Sequence, residues 1–346
     1  MKKMFFTLAL SAVMLSAGAQ ITERRMATLV EADGTEVFYG EDAAKNAYAA
    51  AKDGATIILS EGKFNDLTIK GKTVKVYGAG MNDAEESGAL KTKIGIYIRA
   101  DKFYDDAGKE YYAYPEDLYF EGLYMIRCYV YENKEGAILN GLSINKCQIE
   151  GVSTYELFQV YPKVAGMVVS QSKIGNVHFS EKENDALFRN CWINAVETGT
   201  DLKSKIVIDH CILWRSYSNT IAYYTNNIIL HDNIPADAMA YNNIIVDKNG
   251  ISENATGNGN WFGIGTVGIF AEEGEDGSYA PGKKFTLKYP KTYVGTDGTE
   301  VGINGGVTPW NPVSSLPRIV SSKIDNRAAE DGKINVSIKV EAQNHL

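Results

Sequence analysis

Asp209, His210 and Arg189 are the residues of this chain whose types and spacing best suit chemistry. Removing the proton beside a carboxylate and expelling a group one carbon further on needs a base, a positive charge and a stabilised leaving group. A carboxylate, an imidazole and a guanidinium could divide those tasks. Asp209 and Asp232 could also lend oxygens to a calcium ion, the one cofactor the residues suggest, which would neutralise an acidic substrate. Trp192, Trp214, Arg215, Tyr217 and Tyr241 could stack on sugar rings or hold their polar groups. Each reading has a plainer rival. Arg189 and Asp209 could form only a surface ion pair, worth under about 1 kcal/mol. Trp192 shares a column with Ile212, Ile228 and Ile244, an apolar stripe too large to stay wet. A C-terminal hairpin or residues 308–317 would then cover it.

These residues are positioned by a repeat between Leu123 and Ile245. A small or polar residue recurs at Cys128, Cys147, Ser172, Cys191, Cys211, Asn227 and Asn243. Apolar residues stand five before it (Leu123, Leu142, Met167, Ala186, Ile206, Ala222, Ala238) and three before it (Met125, Ile144, Val169, Phe188, Ile208, Tyr224, Ala240). Two after it come Val130, Ile149, Ile174, Ile193, Leu213, Ile229 and Ile245. Alternation puts these columns on one face of a strand. The recurring residue marks a bend, where each copy stacks on the next about 4.8 Å away. The spacing suits coils of short strands, a single right-handed parallel β-helix in an all-β chain. Residues 153–163 lengthen one step and should bulge from a bend. A leucine-rich-repeat solenoid is the alternative. It fits Leu139, Leu142, Ile144, Cys147 and Ile149, but its pattern decays at Glu183, Lys203, Asn219 and Pro235.

Residues 1–19 read as a secretory leader, with Lys2 and Lys3, an apolar run and Ala17-Gly18-Ala19 before the cut. The chain is therefore expected in the periplasm, at the cell surface or outside the cell, without a membrane span. Loss of the leader's two lysines takes the formal charge of −8 to about −10, which argues against a nucleic-acid partner. A glycan is the expected partner; oligomeric state stays open. Free, buried, stacked thiols are favoured over disulfides, because adjacent copies in one column have parallel side-chain vectors. Residues 20–54 form a lead-in with a turn at Asp33-Gly34 and an Ala-rich helix capping the solenoid. The β-helix is expected over 55–306, and a linker and β-hairpin over 307–346.

The run from Ala50 through Asp53-Gly54-Ala55-Thr56-Ile57-Ile58-Leu59-Ser60-Glu61-Gly62-Lys63-Phe64 resembles the start of pectate-lyase-like β-helix proteins. Residues 295–306, Leu316-Pro317-Arg318-Ile319 and Lys339-Val340-Glu341-Ala342 resemble secreted β-helix proteins of Gram-negative anaerobes, mostly without assigned activity. Val207-Ile208-Asp209-His210-Cys211 is similar to a strand motif of pectate lyases, with Val207 where those have Trp. The resemblance implies a secreted β-helix that binds or processes a polysaccharide of the uronate-containing kind, by lyase-like rather than hydrolytic chemistry. The calcium carboxylates and catalytic Arg of those enzymes have no matched positions here. A non-catalytic adhesive scaffold is the other expectation.

Overall fold

The computed structural model describes residues 25–83, 91–131, 134–150, 158–181, 183–198, 205–215, 222–250, 255–324, 334 and 336–341. The leader, Tyr217 and residues 153–157 of the expected bulge lie outside them. Among the described residues the chain is all-β, 47% strand and 5% helix. Two sheets of twelve strands carry it. In the first sheet ten strands run parallel, from Ala55–Leu59 through Tyr119–Glu121, Ser143–Asn145, Met167–Ser170, Asp185–Arg189, Lys205–Asp209 and Ala222–Thr225 to Thr256–Asn258. The second runs from Gly62–Lys63 through Thr92–Arg99, Tyr124–Tyr131, Lys173–Phe179, Trp192–Thr198, Ile212–Arg215, Ile228–His231 and Ile244–Ile245 to Trp261–Phe262. The chain alternates between them, an arrangement compatible with a parallel β-helix. No helical side of the leucine-rich-repeat kind stands among the described residues; the helices are Ala43–Ala50 and Thr266–Ile269. Neither is long and apolar enough to cross a membrane.

Alternation makes the core. Within each strand every second residue turns inward, so Ile144, Val169, Phe188, Ile208, Tyr224 and Ala240 pack against Ile149, Ile174, Ile193, Leu213, Ile229 and Ile245, all essentially buried. The N-terminal end is closed by Met26–Glu31, antiparallel to Gly34–Tyr39 and to Ala55–Leu59, and by the helix Ala43–Ala50. Tyr48 ties that helix down: its hydroxyl donates to Lys70 O at 2.9 Å and accepts from Lys70 N–H at 2.8 Å.

The bends explain the repeat. Lys146, Gln171, Asn190, His210, Asn226 and Asn242 each have φ between 47 and 60°, and Gly122 and Gly259 hold the same left-handed conformation at 66 and 72°. One left-handed residue turns the chain from the first sheet into the second, and Asn and His tolerate that conformation better than most side chains. The next residue is the stacked one. Cys211 N–H donates to Asn227 Oδ1 at 2.8 Å, Asn227 N–H to Asn243 Oδ1 at 2.9 Å, and Asn243 N–H to Asn260 Oδ1 at 3.0 Å. Asn260 is thus a further member of the ladder.

Cys128 is not a member. Gln148 N–H donates to Leu123 O as Lys173 N–H donates to Cys147 O, both at 2.9 Å. Phe120 pairs with Ile144, and Met125 with Ile149. The first repeat therefore bends at Gly122 and Leu123, five residues earlier than the sequence suggested. Cys128 lies within the second sheet between Ile96 and Phe158. Local alternation is the same on both sheets, so the pattern slid from one to the other. All four cysteines are free and buried. Burial pushes the Cys128 thiol up to about 12.

The parallel pairing ends at Trp261–Phe262, short of the expected 306. The chain then doubles back outside the second sheet. Ile269, Phe270, Phe285, Leu287, Tyr293, Val301 and Ile303 close over Trp192, Ile212, Ile228, Leu230 and Ile244 as a second core. The covering element is this loop-rich segment, not the C-terminal hairpin. The hairpin strands, Arg318–Ile324 and Val336–Glu341, pair only with each other among the described strands.

Candidate functional site

After the cover, residues 294–315 run back along the bends as a strap, and the left-handed residues anchor it in sequence. Asn242 Nδ2 donates to Val294 O at 2.8 Å, and Asn226 Nδ2 to Thr296 Oγ1 at 3.2 Å. His210 Nε2 meets Thr299 Oγ1 at 3.1 Å. Asn190 Nδ2 donates to Ile303 O at 2.9 Å and Gly305 O at 2.7 Å. Gln171 Nε2 donates to Pro309 O, and Ser315 N–H to Glu121 Oε1 at 2.7 Å. The backbone forces these side chains outward at every bend, and the strap uses them as a row of cleats.

Asp209 ends its strand between Arg189 and Thr225, its register partners on either side. Oδ2 accepts from Arg189 Nε at 3.2 Å. Oδ1 accepts from His210 Nδ1 at 2.9 Å, Asn226 Nδ2 at 3.0 Å and Thr225 Oγ1 at 3.1 Å. Burial raises this carboxyl, but the hydrogen bonds and the charge of His210, with Asn226 and Thr225, outweigh burial and hold it below the usual carboxylate range.

The structure brings Arg189, Asp209 and His210 together, as their columns implied. The His210 ring is 1% exposed. Gly305 and Gly306 of the strap lie against it so closely that a Cβ on Gly305 would strike both Glu300 O and the ring. The strap closes over that imidazole, and both Asp209 oxygens accept hydrogen bonds. The trio buckles the strap to the sheets.

The calcium set does not assemble. Asp209 ends a strand of the first sheet, whereas Asp232 is exposed beyond a strand of the second. Among the described residues no group of three or more His, Cys, Asp or Glu side chains is placed to hold a metal ion. The aromatic set disperses too. Trp192 is buried beneath the cover, its Nε1–H donating to Gly277 O at 2.8 Å, so it has no ring face for a sugar. Trp214 is half-buried, with the edge of His231 4.5 Å away, and Arg215 beside it is exposed. Tyr241 stands half-buried on the first sheet, in register with Thr225 and Asn258.

A different site forms where the strap leaves the first sheet. There a cleft of about 650 Å³ opens between the strands Tyr119–Glu121, Ser143–Asn145 and Met167–Ser170 and the strap residues 307–311. Period two supplies its floor: Tyr119, Ser143 and Val168 align in one outward column, Glu121, Asn145 and Ser170 in the next. Lys146 and Gln171, from the bends, line one side, and Trp310 stands in the strap wall. The floor is a connected polar network. Tyr119 donates its hydroxyl hydrogen to Glu121 Oε2 at 2.5 Å. Asn145 Nδ2 donates to Glu121 Oε2 and to the Tyr119 oxygen, both at 3.3 Å, and Ser170 donates to Asn145 Oδ1 at 3.0 Å.

The charges of the cleft are shifted by this packing. Burial, and then the hydrogen bond to Glu121, push the Tyr119 phenol well above its ordinary value. Burial works to raise Glu121, but Ser315, Tyr119 and the Lys146 charge draw it below the carboxylate range. Burial lowers Lys146, opposed by Glu121.

Sequence reasoning missed Glu121 and Trp310. The late placement of the first bend hid Glu121, which shares the column of Asn145, Ser170, Arg189 and Asp209. Trp310 sat in a stretch that reads as linker. Comparison of the chain with protein-family models, with curated proteins and with solved structures finds no match. The resemblance to pectate-lyase-like proteins therefore has the long parallel sheets behind it and no relative.

Proposed function

We propose that this chain is an exported, right-handed parallel β-helix protein that binds a polysaccharide in the cleft between the first sheet and the strap. The leader-like residues 1–19 and the pectate-lyase-like stretches support export and fold, and crossovers between parallel strands of one sheet are right-handed in nearly every known case. The cleft carries the functional reading. It sets an aromatic wall, Trp310, opposite amide, hydroxyl and ammonium groups at Asn145, Ser170, Gln171 and Lys146. A sugar ring needs this pairing: its C–H face lies on an aromatic ring while its hydroxyls exchange hydrogen bonds. Lys146 suits a uronate carboxylate.

Binding without cleavage is the reading favoured. A general base works best with a pKa near the working pH. Tyr119 is shifted away from that range, and Glu121, 2% exposed, already accepts hydrogen bonds at both oxygens. Asp209 and Asp232 lie on different sheets and do not form a shared calcium site.

The test is calorimetric titration of the mature protein with uronate and neutral polysaccharides, while absorbance reports unsaturated products. Saturable binding with no absorbance change is expected. Trp310→Ala and Lys146→Gln should each weaken it by about tenfold, the equivalent of about 1.4 kcal/mol. Unchanged affinity in both variants would remove the cleft from consideration, and unsaturated products would restore the lyase.

A further inference from the structure

A second cleft opens on the other side of Trp310. It measures about 390 Å³ and lies between the strap and the cover, lined by Asn82, Tyr279, Lys283, Lys284, Asn304 and Trp310 among others. Trp310 belongs to both walls. The indole is half-buried and braced edge-on by Tyr279, ring centres 6.3 Å apart. Its backbone N–H is held by Ile303 O at 2.9 Å. Trp310 is thus a fixed ridge between two openings, not a gate across one.

The second lining also carries a charge pattern that the chain as a whole lacks. The chain carries a formal charge of −8. Yet the second lining holds Lys283 and Lys284 and no carboxylate, while the first sets the buried Lys146 beside Glu121, which is buried and engaged. Lys283 is bound to Glu275 at 2.8 Å, whereas Lys284 is exposed at the rim. Clefts lined mainly by one sign of charge concentrate ligands of the other.

Resting on the binding reading above, we infer that the second cleft is a distal subsite, and that one anionic glycan crosses the strap at Trp310 with sugar units in both clefts. The ridge stacks the unit at the crossing, Lys146 serves the units on the sheet side, and Lys284 serves those on the cover side. The site then reads an internal stretch of a chain. A single sugar fills one cleft only, so affinity must climb with ligand length. Linked units gain because the second cleft is engaged intramolecularly.

The experiment is titration of the full mature protein with uronate oligosaccharides of increasing length, for the unaltered chain, Lys146→Gln, Lys284→Ala and Trp310→Phe. Lys284 is exposed, so its replacement leaves the fold intact, which a thermal melt verifies. Affinity should rise with length and then level off. Lys284→Ala should cost about tenfold for the long oligosaccharides and nothing for the shortest, while Lys146→Gln weakens both. Trp310→Phe, which keeps an aromatic ridge, should stay within about threefold. Equal affinity for short and long ligands, or no effect of Lys284→Ala at any length, overturns the crossing while leaving the first cleft as a binding site. Absence of binding at every length overturns the crossing and the binding reading together.

Discussion

The outer face of the second sheet has two halves that share one column of residues and differ in almost everything else. From Trp192 onward the column reads Trp192, Ile212, Ile228, Ile244 and Trp261. Before it the same register positions hold Lys93, Tyr124, Gln148 and Lys173. The apolar half is roofed by the cover. The earlier half is polar, with Lys93 and Tyr124 half-buried and Gln148 and Lys173 buried, and its rings and cations satisfy one another. Lys91 stands 4.5 Å over the Tyr124 ring, Arg99 stands 4.9 Å over Tyr131, and Tyr97 stacks on Tyr131 at 5.6 Å. Lys173, 5.7 Å from the Trp192 ring, marks the seam. An outward strand position is not defined by facing away from the first core. Its chemistry announces whether a second layer will be laid upon it.

Substitutions on the two halves sharpen that contrast. The largest effect is expected from Trp192→Ala, which leaves a cavity under the cover and strands Gly277 O. It should cost about 3–5 kcal/mol in urea unfolding, against about 1 kcal/mol for Tyr124→Ala on the polar half. Equal costs would mean that the cover contributes little. Next comes the ladder beneath both halves. Asn243→Ala removes the acceptor of Asn227 N–H and the donor to Tyr224 O. The stability loss should be about 1–3 kcal/mol for each orphaned group.

The buckle should titrate. The Asp209 carboxyl, held below its ordinary 3.8 when folded, stabilises the native state above that value. That stabilisation is lost as pH falls through the depressed folded value. The melting midpoint of the unaltered protein should therefore drop on acidification below about pH 4, and Asp209→Asn should flatten that limb. An unchanged acid limb would mean that the strap does not depend on the carboxylate. The smallest signal is expected from the cysteines. A colorimetric thiol reagent should find none reactive in the native protein and all four after denaturation, because burial hides all four and raises those of Cys128, Cys147 and Cys211.

Much of the framework was legible in the sequence. Period-two alternation and a polar residue at each bend are local properties, and from Ile144 to Ile245 the predicted columns match the observed register. The error at Cys128 has the same origin. Alternation in the second sheet resembles alternation in the first, and without its partners the strand Tyr124–Tyr131 could be placed on either. The candidate site was legible only in fragments. Asp209, His210 and Arg189 were correctly placed beside one another, but only the strap shows that His210 is sealed.

The amino-acid pattern by itself determined which side chains turn inward, where the chain bends and which outer stripe is too apolar for water. Each of those follows from backbone geometry and transfer energy over a few residues. Only the tertiary structure decided what covers the stripe, which bend residues grip the strap and where clefts remain. Those outcomes depend on contacts more than a hundred residues apart, such as Asn190 with Gly305. Nothing in the local sequence of either partner encodes such a meeting.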